Sequence, residues 1–211
     1  ALLMREMLTR YGRHNIGFLW LFAEPMIFTL GITVSWSFIR IHHFSNIPVV
    51  AFAVTGYSSV LLWRNMSSRC IGAIGPNRAL MYHRNVRVMD IYASRLLLEV
   101  MGAVTSFVVL SLVFTAAGWM DLPEDPVQVA VGIAMLAWFG SAMALLMGCL
   151  SERSEMVEKL WHPASYLIFP FSGAAFTVDA LKSSLRPYAL YIPMIDGVEY
   201  VRDGYFGSLF T

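Results

Sequence analysis

The basic stretch at residues 64–90 holds the side chains whose types and spacing most readily support chemistry. It reads RNMSSRCIGAIGPNRALMYHRNVRVMD and carries no acid before its last residue, Asp90. Its cationic side chains are Arg64, Arg69, Arg78, Arg84 and Arg87. Arginine binds phosphate and carboxylate groups through paired hydrogen bonds, so some arginines of this chain are candidate contacts for an acidic ligand at a helix end. The alternative is that they only fix the orientation of the chain in a membrane. The candidates are Arg10, Arg13, Arg84 and Arg87.

Sequence motifs of common enzymes are absent. The chain contains no G-x-x-x-x-G-K-[ST] phosphate-binding loop, no H-E-x-x-H and no G-x-S-x-G, so the reactions that depend on those motifs are not expected. The two cysteines, Cys70 and Cys149, fit no metal-binding spacing. A lipid-modifying membrane enzyme would need histidines and carboxylates converging on one membrane face, whereas the histidines are scattered along the chain. We therefore expect no catalytic residue, no metal site and no cofactor in this chain.

The composition is that of a membrane protein. The 211 residues are 57% hydrophobic and only 14% charged, with a mean hydropathy of +0.61. Soluble domains carry about 25% charged residues, so we predict an all-α integral membrane protein. The formal net charge of +1 argues against a nucleic-acid partner, because nucleic acids select a strongly basic surface.

The apolar runs predict the elements of one transmembrane domain over residues 1–211. A bilayer core about 30 Å thick needs about 20 helical residues, and five apolar runs are candidate spans, of which the second is short. The amphipathic segment 1–15 is too polar to span and is predicted to lie in the membrane interface. Pro187 and Pro193 divide residues 179–211 into pieces too short to span, which predicts external re-entrant helices. The predicted spans are 16–38, 48–63, 91–119, 127–150 and 160–176, with the loop 64–90 between the second and the third.

The distribution of basic residues predicts which side of the membrane each loop faces. Ten lysines and arginines fall on the side of the N-terminus and four on the other side, and basic loops stay in the cytoplasm. The N-terminus and the loop 64–90 are therefore predicted to be cytoplasmic, and residues 179–211 to be external. A sixth span is then expected to be missing from the C-terminal end.

Polar and small residues in or beside the predicted spans indicate contacts between helices. A carboxylate at Glu24 costs up to about 3 kcal/mol at mid-membrane, so it should face protein or a water-filled cavity. Asp90 is a predicted N-cap for the third span, and Arg95 and Glu99, one turn apart, can pair. A stripe of small residues in the fourth span predicts close helix packing. The stripe consists of Ala130, Ala134, Ala137, Ser141, Ala144 and Gly148.

The fifth predicted span is rich in aromatic residues. Flat rings offer apolar area and, in tyrosine, a polar tip, which suits the apolar faces and hydroxyl edges of sugars. A row of such rings could hold a sliding polymer weakly at many points, as conduction requires. The alternative is ordinary lipid-facing or interfacial packing. The rings concerned are Tyr166, Phe169, Phe171 and Phe176.

Several longer patterns resemble one known family. They are RYGRHNIGFLWLFAEP at Arg10–Pro25, NRALMYHRNVRVMDI at Asn77–Ile91, and SYLIFPFSGAAF with YIPMIDGVEYVRDGYFG within Ser165–Gly207. Together they resemble the ABC-2 permease subunit of Gram-negative capsular polysaccharide exporters of the group 2 type. The resemblance covers essentially the whole chain and implies the transmembrane domain of a type V exporter.

The resemblance implies a permease without its own catalytic site, in the bacterial inner membrane. Two copies would pair with two copies of a cytoplasmic ATPase that binds ATP and Mg²⁺. The cargo would be an acidic, lipid-linked capsular polysaccharide, which a periplasmic co-polymerase and an outer-membrane exporter take onward. The residues implied to couple to the ATPase are Asn77, Arg78, Tyr82, His83, Arg84 and Arg87. Those implied to border the path of the glycan and its lipid linker are Arg10, Arg13, Trp20, Glu24, Trp36, Tyr166, Phe169, Phe171 and Phe176.

Two alternatives stand beside this interpretation. The first pattern is shared with exporters of O-antigen or teichoic acid, so another cell-surface glycan is the nearest alternative cargo. A membrane-embedded lipid-modifying enzyme is the alternative from a different functional class. An ATPase that co-purifies with the chain would separate an exporter from an enzyme.

Overall fold

The computed structural model describes residues 2–11, 23, 26–35, 48–83 and 85–207. Within these ranges the chain is helical and no strand occurs, so the predicted all-α class is confirmed. The helices are α1 Leu2–Tyr11, α2 Met26–Ser35, α3 Val49–Cys70, α4 Arg78–His83, α5 Val88–Ala116, α6 Pro126–Ser151, α7 Glu155–Ile168, α8 Arg186–Ala189 and α9 Pro193–Phe206. Short 3₁₀ turns lie at Gly75–Asn77, Phe169–Phe171 and Val178–Ala180.

Helices α5 and α6 have the length and composition of membrane spans. They contain 29 and 26 residues, with mean hydropathies of 2.2 and 2.1 in their most apolar windows. Helix α3 has 22 residues and lies between α5, α6 and α9. Every residue from Ala51 to Trp63 is buried, and this stretch includes Thr55, Ser58 and Ser59. A helix enclosed by protein need not be as apolar as one that faces lipid. The number of spans and their sidedness stay predictions.

The loop predicted at 64–90 begins later and ends earlier than the sequence indicated. Helix α3 continues to Cys70 instead of ending at Trp63, so Arg64 and Arg69 are helical. Arginine and serine are compatible with a helix interior. At residue 64 the sequence therefore becomes less apolar while the backbone stays helical. Helix α5 begins at Val88, which places Asp90 in its first turn rather than at the N-cap; the Asp90 carboxylate accepts the N–H of Arg87 at 2.9 Å.

The fifth predicted span, 160–176, corresponds to a shorter helix followed by turns. Helix α7 begins at Glu155 after the N-cap Ser154 and ends at Ile168. Pro170 then occupies a 3₁₀ turn, because proline cannot donate the backbone hydrogen bond that an α-helix needs. Gly173 follows with a φ of +78°, a conformation that glycine adopts without strain. The chain thus leaves helical geometry well before Phe176.

Helix α9 packs antiparallel on α6 through alternating small and large residues. An added Cβ on Gly132 of α6 would lie 2.6 Å from Cγ2 of Val201, and one on Gly197 of α9 would lie 2.5 Å from Cδ2 of Leu136. The buried face of α6 carries Gly132, Leu136, Gly140, Ala144 and Gly148 at four-residue spacing. The stripe predicted from the sequence shares its last two members with this face. Its first members, Ala130 and Ala134, instead border a groove between α5 and α6.

We expect Gly132→Ala to destabilise the protein by about 1–3 kcal/mol, the usual cost of overpacking a close contact. The added methyl would meet both the side chain of Val201 and its backbone nitrogen, which would lie 3.1 Å away. Gly31→Ala is the matched control, because among the described residues no atom beyond the adjoining helix backbone lies within 4 Å of its added Cβ, and alanine favours a helix by up to about 1 kcal/mol. Thermal unfolding of the purified protein in detergent measures both. Equal melting temperatures for the two variants would contradict the packing described here.

Candidate functional site

A cluster of charged and amide side chains connects α1, α3, α5 and the turn before α4. We call it the basal cluster; its members are Arg5, Glu6, Arg69, Asn77, Arg95 and Glu99. Most of these residues border a cavity of about 280 Å³. Helix α1 supplies Arg5 and Glu6 because it packs along α5. The cluster therefore unites the predicted interfacial helix, the predicted coupling loop and two long helices.

Asn77 is the member that belongs to the predicted coupling segment, and it is buried, with 5% of its surface exposed. Its Oδ1 accepts a hydrogen bond from Nη1 of Arg5 at 3.1 Å. Its Nδ2 donates to Oε1 of Glu6 at 2.9 Å and to the carbonyl of Ala73 at 3.0 Å. Hydrogen bonds to charged groups are worth about twice as much as neutral ones. Asn77 therefore joins the segment ahead of α4 firmly to α1.

Arg95 continues the connection from α1 to α3. Its Nε lies 3.4 Å from Oε2 of Glu6, and its Nη1 donates to the carbonyl of Arg69 at 2.7 Å. Arg69 in turn places its Nε 3.6 Å from Oε1 of the buried Glu99. The pairing of Arg95 with Glu99 expected from their spacing is therefore wrong: each side chain pairs with a neighbouring helix. The side chains of Arg95 and Glu99 are both largely buried, so ion pairs with neighbouring helices are favoured over a pair within α5.

The remaining residues predicted to couple to an ATPase lie on the surface next to this cluster. Arg78 and Tyr82 are exposed on α4, and Arg87 is exposed just before α5. Tyr82 exposes 87% of its surface, which is unusual for an aromatic side chain. The side chain of His83 and the whole of Arg84 lie outside the described residues. Helix α4 thus presents an accessible face while its N-terminal neighbour Asn77 is held in the basal cluster.

A second group of residues lies where α7 runs along α3, and we call it the aromatic edge. Its members are Tyr57, Arg64, Tyr166, Phe169 and Phe171. The ring of Phe169 meets that of Tyr57 edge to face, with 5.5 Å between the centroids. The guanidinium carbon of Arg64 lies 4.1 Å from the centroid of Tyr166. Nearby, Nε1 of Trp161 donates to Oγ of Ser68 at 2.9 Å, which holds the two helices together.

The residues predicted to border a glycan path are only partly brought together. Tyr166 and Phe171 are exposed, and Phe169 is half-buried beside them. Phe176 instead packs on a small apolar cluster of Val178, Ala189 and Ile195. The remaining predictions fall outside the described residues: the side chain of Arg10, and Arg13, Trp20, Glu24 and Trp36. Whether any of these residues contacts a glycan stays a prediction.

Arg202 is a structural residue that the sequence analysis missed. The charge pattern treats it only as one of the basic residues on the external side, and the structure buries it completely on α9. Its Nη1 donates to the carbonyls of Gly173 and Phe176 at 2.7 and 2.9 Å, and its Nη2 to that of Ala174 at 2.6 Å. Its guanidinium carbon lies 3.7 Å from the ring centroid of Phe52. Arg202 thus fixes the turn that carries the chain from α7 toward α9.

A sequence signal for this burial exists. Val198, Val201 and Tyr205 form the apolar face of α9, and position 202 lies on the same face, four residues after Val198. A lone arginine on a buried face needs internal acceptors. The turn after Phe171 has backbone carbonyls that are not used in a helix and can accept hydrogen bonds from such an arginine.

The acids at the predicted external end are largely occupied by contacts within the chain. Oε1 of Glu199 accepts the N–H of Val178 at 3.1 Å. Burial raises the pKa of the Glu199 carboxyl, and this hydrogen bond and Arg202 act in the opposite direction. Oδ2 of Asp203 accepts from Gln128 at 2.5 Å. Their first role is therefore to attach α9 to its neighbours.

The chain matches the family of ABC-2 type transporters over residues 1–206. It is 43% identical over 208 residues to the capsule polysaccharide export inner-membrane protein CtrC of Neisseria meningitidis serogroup B, covering 99% of this chain and 78% of that protein. It is 44% identical, with the same coverage, to the capsule polysaccharide export inner-membrane protein BexB of Haemophilus influenzae. The polysialic acid transport protein KpsM of Escherichia coli is 24% identical over 203 residues, covering 96% of this chain and 79% of KpsM.

Proposed function

This chain belongs to the ABC-2 type transporter family, and from that membership we propose that it is the membrane-spanning subunit of an ATP-driven exporter of capsular polysaccharide in the inner membrane. The observation that carries the proposal is its 43–44% identity, over 99% of the chain, to proteins named for capsule polysaccharide export. The same names favour capsule over O-antigen or teichoic acid as the cargo. The direct test is expression of this chain in a capsulated strain that lacks its own permease, with surface capsule as the readout.

The proposal includes finer features that rest on the family pattern and on the geometry. The permease acts as a homodimer with two copies of a cytoplasmic ATPase, which hydrolyses ATP with Mg²⁺, so this subunit has no reaction of its own. The N-terminus is cytoplasmic, and a periplasmic co-polymerase and an outer-membrane exporter receive the lipid-linked glycan. The exposed face of α4 supports an ATPase contact, because Arg78 and Tyr82 are accessible there beside the buried Asn77.

We expect the double variant Arg78→Glu, Tyr82→Asp to lose its ATPase during co-purification. Tyrosine and arginine are the residues most often found at energetic centres of interfaces, where each costs about 2 kcal/mol or more when removed, equal to roughly 30-fold in affinity. The double variant also introduces two acids on a basic surface. Affinity purification of the permease, followed by quantification of the bound ATPase, measures the effect.

Arg153→Glu is the control for this experiment. Arg153 is exposed in the turn between α6 and α7, a second segment predicted to be cytoplasmic, so the variant changes charge on the same side without touching α4. It should retain the ATPase. Unchanged ATPase binding and unchanged surface capsule in the α4 variant would remove this helix from the coupling mechanism.

A further inference from the structure

Arg64 is a half-buried cation that its protein surroundings do not neutralise. It lies on α3 six residues before Cys70, about 9 Å from the end of that helix at 1.5 Å per residue. Across the described residues, its guanidinium makes no hydrogen bond and no ion pair, and its one aromatic contact is the ring of Tyr166. The other arginines on the inner helices differ. Arg69 and Arg95 pair with carboxylates, and Arg202 with three carbonyls.

An arginine in this position is costly unless it has a use. A half-buried charge is costly unless it is paired, and the contact recorded for this guanidinium among the described residues is the ring of Tyr166. A guanidinium has five N–H donors, all in its plane. A ring stacked on its face leaves those donors available. Arg64 is therefore oriented by Tyr166 and still able to bind an oxyanion through two parallel hydrogen bonds.

The neighbours of Arg64 indicate which oxyanion fits. Tyr166 and Phe171 are the exposed rings of the aromatic edge, and behind them the half-buried Phe169 packs edge to face on the buried Tyr57. Rings of this kind pack against the apolar faces of sugars, whereas a phospholipid headgroup needs no aromatic neighbour. We propose that Arg64, oriented by Tyr166, binds the carboxylate or phosphate of an acidic sugar in the transported glycan. The inference rests on the proposed function and assigns Arg64 as a residue that contacts the acidic groups of the cargo.

The site has a defined place in the transport path. Arg64 precedes Arg69 of the basal cluster by less than two helical turns, so it lies in the half of the bundle nearest to α4. An acidic sugar would meet it soon after leaving the side that carries the ATPase. A single cation with weak aromatic neighbours suits a polymer that must move on after each contact.

The test measures binding of two labelled probes to the purified permease–ATPase complex in detergent. One probe is a hexamer of sialic acid, which carries carboxylates, and the other is neutral maltohexaose. We expect the wild-type complex to prefer the acidic probe. Arg64→Gln should weaken acidic-probe binding about tenfold or more, as for loss of a bidentate charged hydrogen bond, and should leave maltohexaose unchanged. Arg64→Lys should retain part of the affinity, and Tyr166→Phe nearly all of it.

Controls separate this inference from a folding defect and from the proposed function. Arg153→Gln removes an exposed arginine and should change neither probe, and Arg64→Lys should keep the wild-type melting temperature. An absent preference for the acidic probe in the wild type, or equal binding by Arg64→Gln, would overturn the inference. So would a variant whose only loss is binding to phosphatidylglycerol vesicles, which would assign Arg64 to lipid. Failure of the proposed function itself is seen separately, as wild-type protein that does not restore surface capsule.

Discussion

Substitution of Arg202 by alanine is expected to unfold the segment between α7 and α9. The guanidinium makes three hydrogen bonds, to the carbonyls of Gly173, Ala174 and Phe176, and none of its surface is exposed. Hydrogen bonds to a charged group are worth about 1.5–3 kcal/mol each, and a buried acceptor left without a partner costs about 1–3 kcal/mol more. A total loss of about 4 kcal/mol or more is therefore expected, which belongs to the severe end of single substitutions.

Thermal unfolding in detergent, together with limited proteolysis, measures the effect of this change. The variant should melt at a lower temperature and become cleavable between residues 173 and 192, where the wild type resists. Lys182→Ala is the control, because Lys182 is exposed in the same segment and surface substitutions stay within about 0.5 kcal/mol. Arg202→Lys should recover only part of the loss, since an ammonium lacks the planar arrangement of donors that reaches several carbonyls at once.

Gly56 provides a second way to disturb the same contact. It lies on α3 opposite the turn, and an added Cβ would collide with Nη2 of Arg202 and lie 2.6 Å from the carbonyl oxygen of Ala174. Gly56→Ala should therefore expose the same segment to protease although Arg202 is intact. Wild-type stability in both variants would show that Arg202 does not hold the turn.

The long apolar helices could be predicted from the sequence, and their ends could be predicted only where sequence signals mark them. Helix α6 spans Pro126–Ser151 against a predicted span of 127–150, because proline and Asp125 mark its start and polar residues its end. The predicted end of helix α3 came seven residues too early, because hydropathy reports where a helix leaves an apolar environment and not where its backbone hydrogen bonds stop. The helix itself continues to Cys70. The residues from Arg64 to Cys70 are polar and helical at once.

In the candidate site, the residues that matter could be predicted from the sequence, but the side chains they contact could not. The resemblance to a known family singled out Asn77 and the exposed Arg78 and Tyr82, which lie in the stretch that interrupts the apolar runs. The sequence could not identify the partners of Arg95, since the four-residue spacing to Glu99 satisfies a helix rule that applies to isolated helices. The structure brings Glu6 closer, across a contact between α1 and α5 that no local pattern encodes.

Reversal of the charge at Glu6 is expected to stop export while the ATPase stays bound. Glu6 accepts from Asn77, next to α4, and lies 3.4 Å from Arg95 of α5. If an ATPase displaces α4 as proposed, the displacement would reach both α1 and α5 through this carboxylate. Glu6→Arg would place two cations together in a largely buried position. Their repulsion is destabilising, and it is stronger there than at the surface because the local dielectric constant is low. ATP hydrolysis should continue at the wild-type level or above it, and surface capsule should fall to background.

A double-mutant cycle decides whether the Glu6–Arg95 contact itself carries the coupling, since a position between two sites is not by itself evidence for a pathway. The exchanged pair Glu6→Arg, Arg95→Glu restores opposite charges but removes the hydrogen bond from Arg95 to the carbonyl of Arg69. We therefore expect partial recovery of capsule, with a coupling energy of about 0.5–3 kcal/mol in thermal unfolding, the range found for residues in direct contact. The control is the exposed pair Glu155–Lys159, 3.9 Å apart in α7, whose exchange should leave export and stability unchanged because solvent screens such pairs. Two results would contradict a role of the Glu6–Arg95 contact: an exchanged pair that exports no better than the single variants, or an exposed pair with the same coupling energy. Transmission from α4 would then run through other members of the basal cluster. In that case Asn77→Ala is the variant that should separate ATP hydrolysis from export.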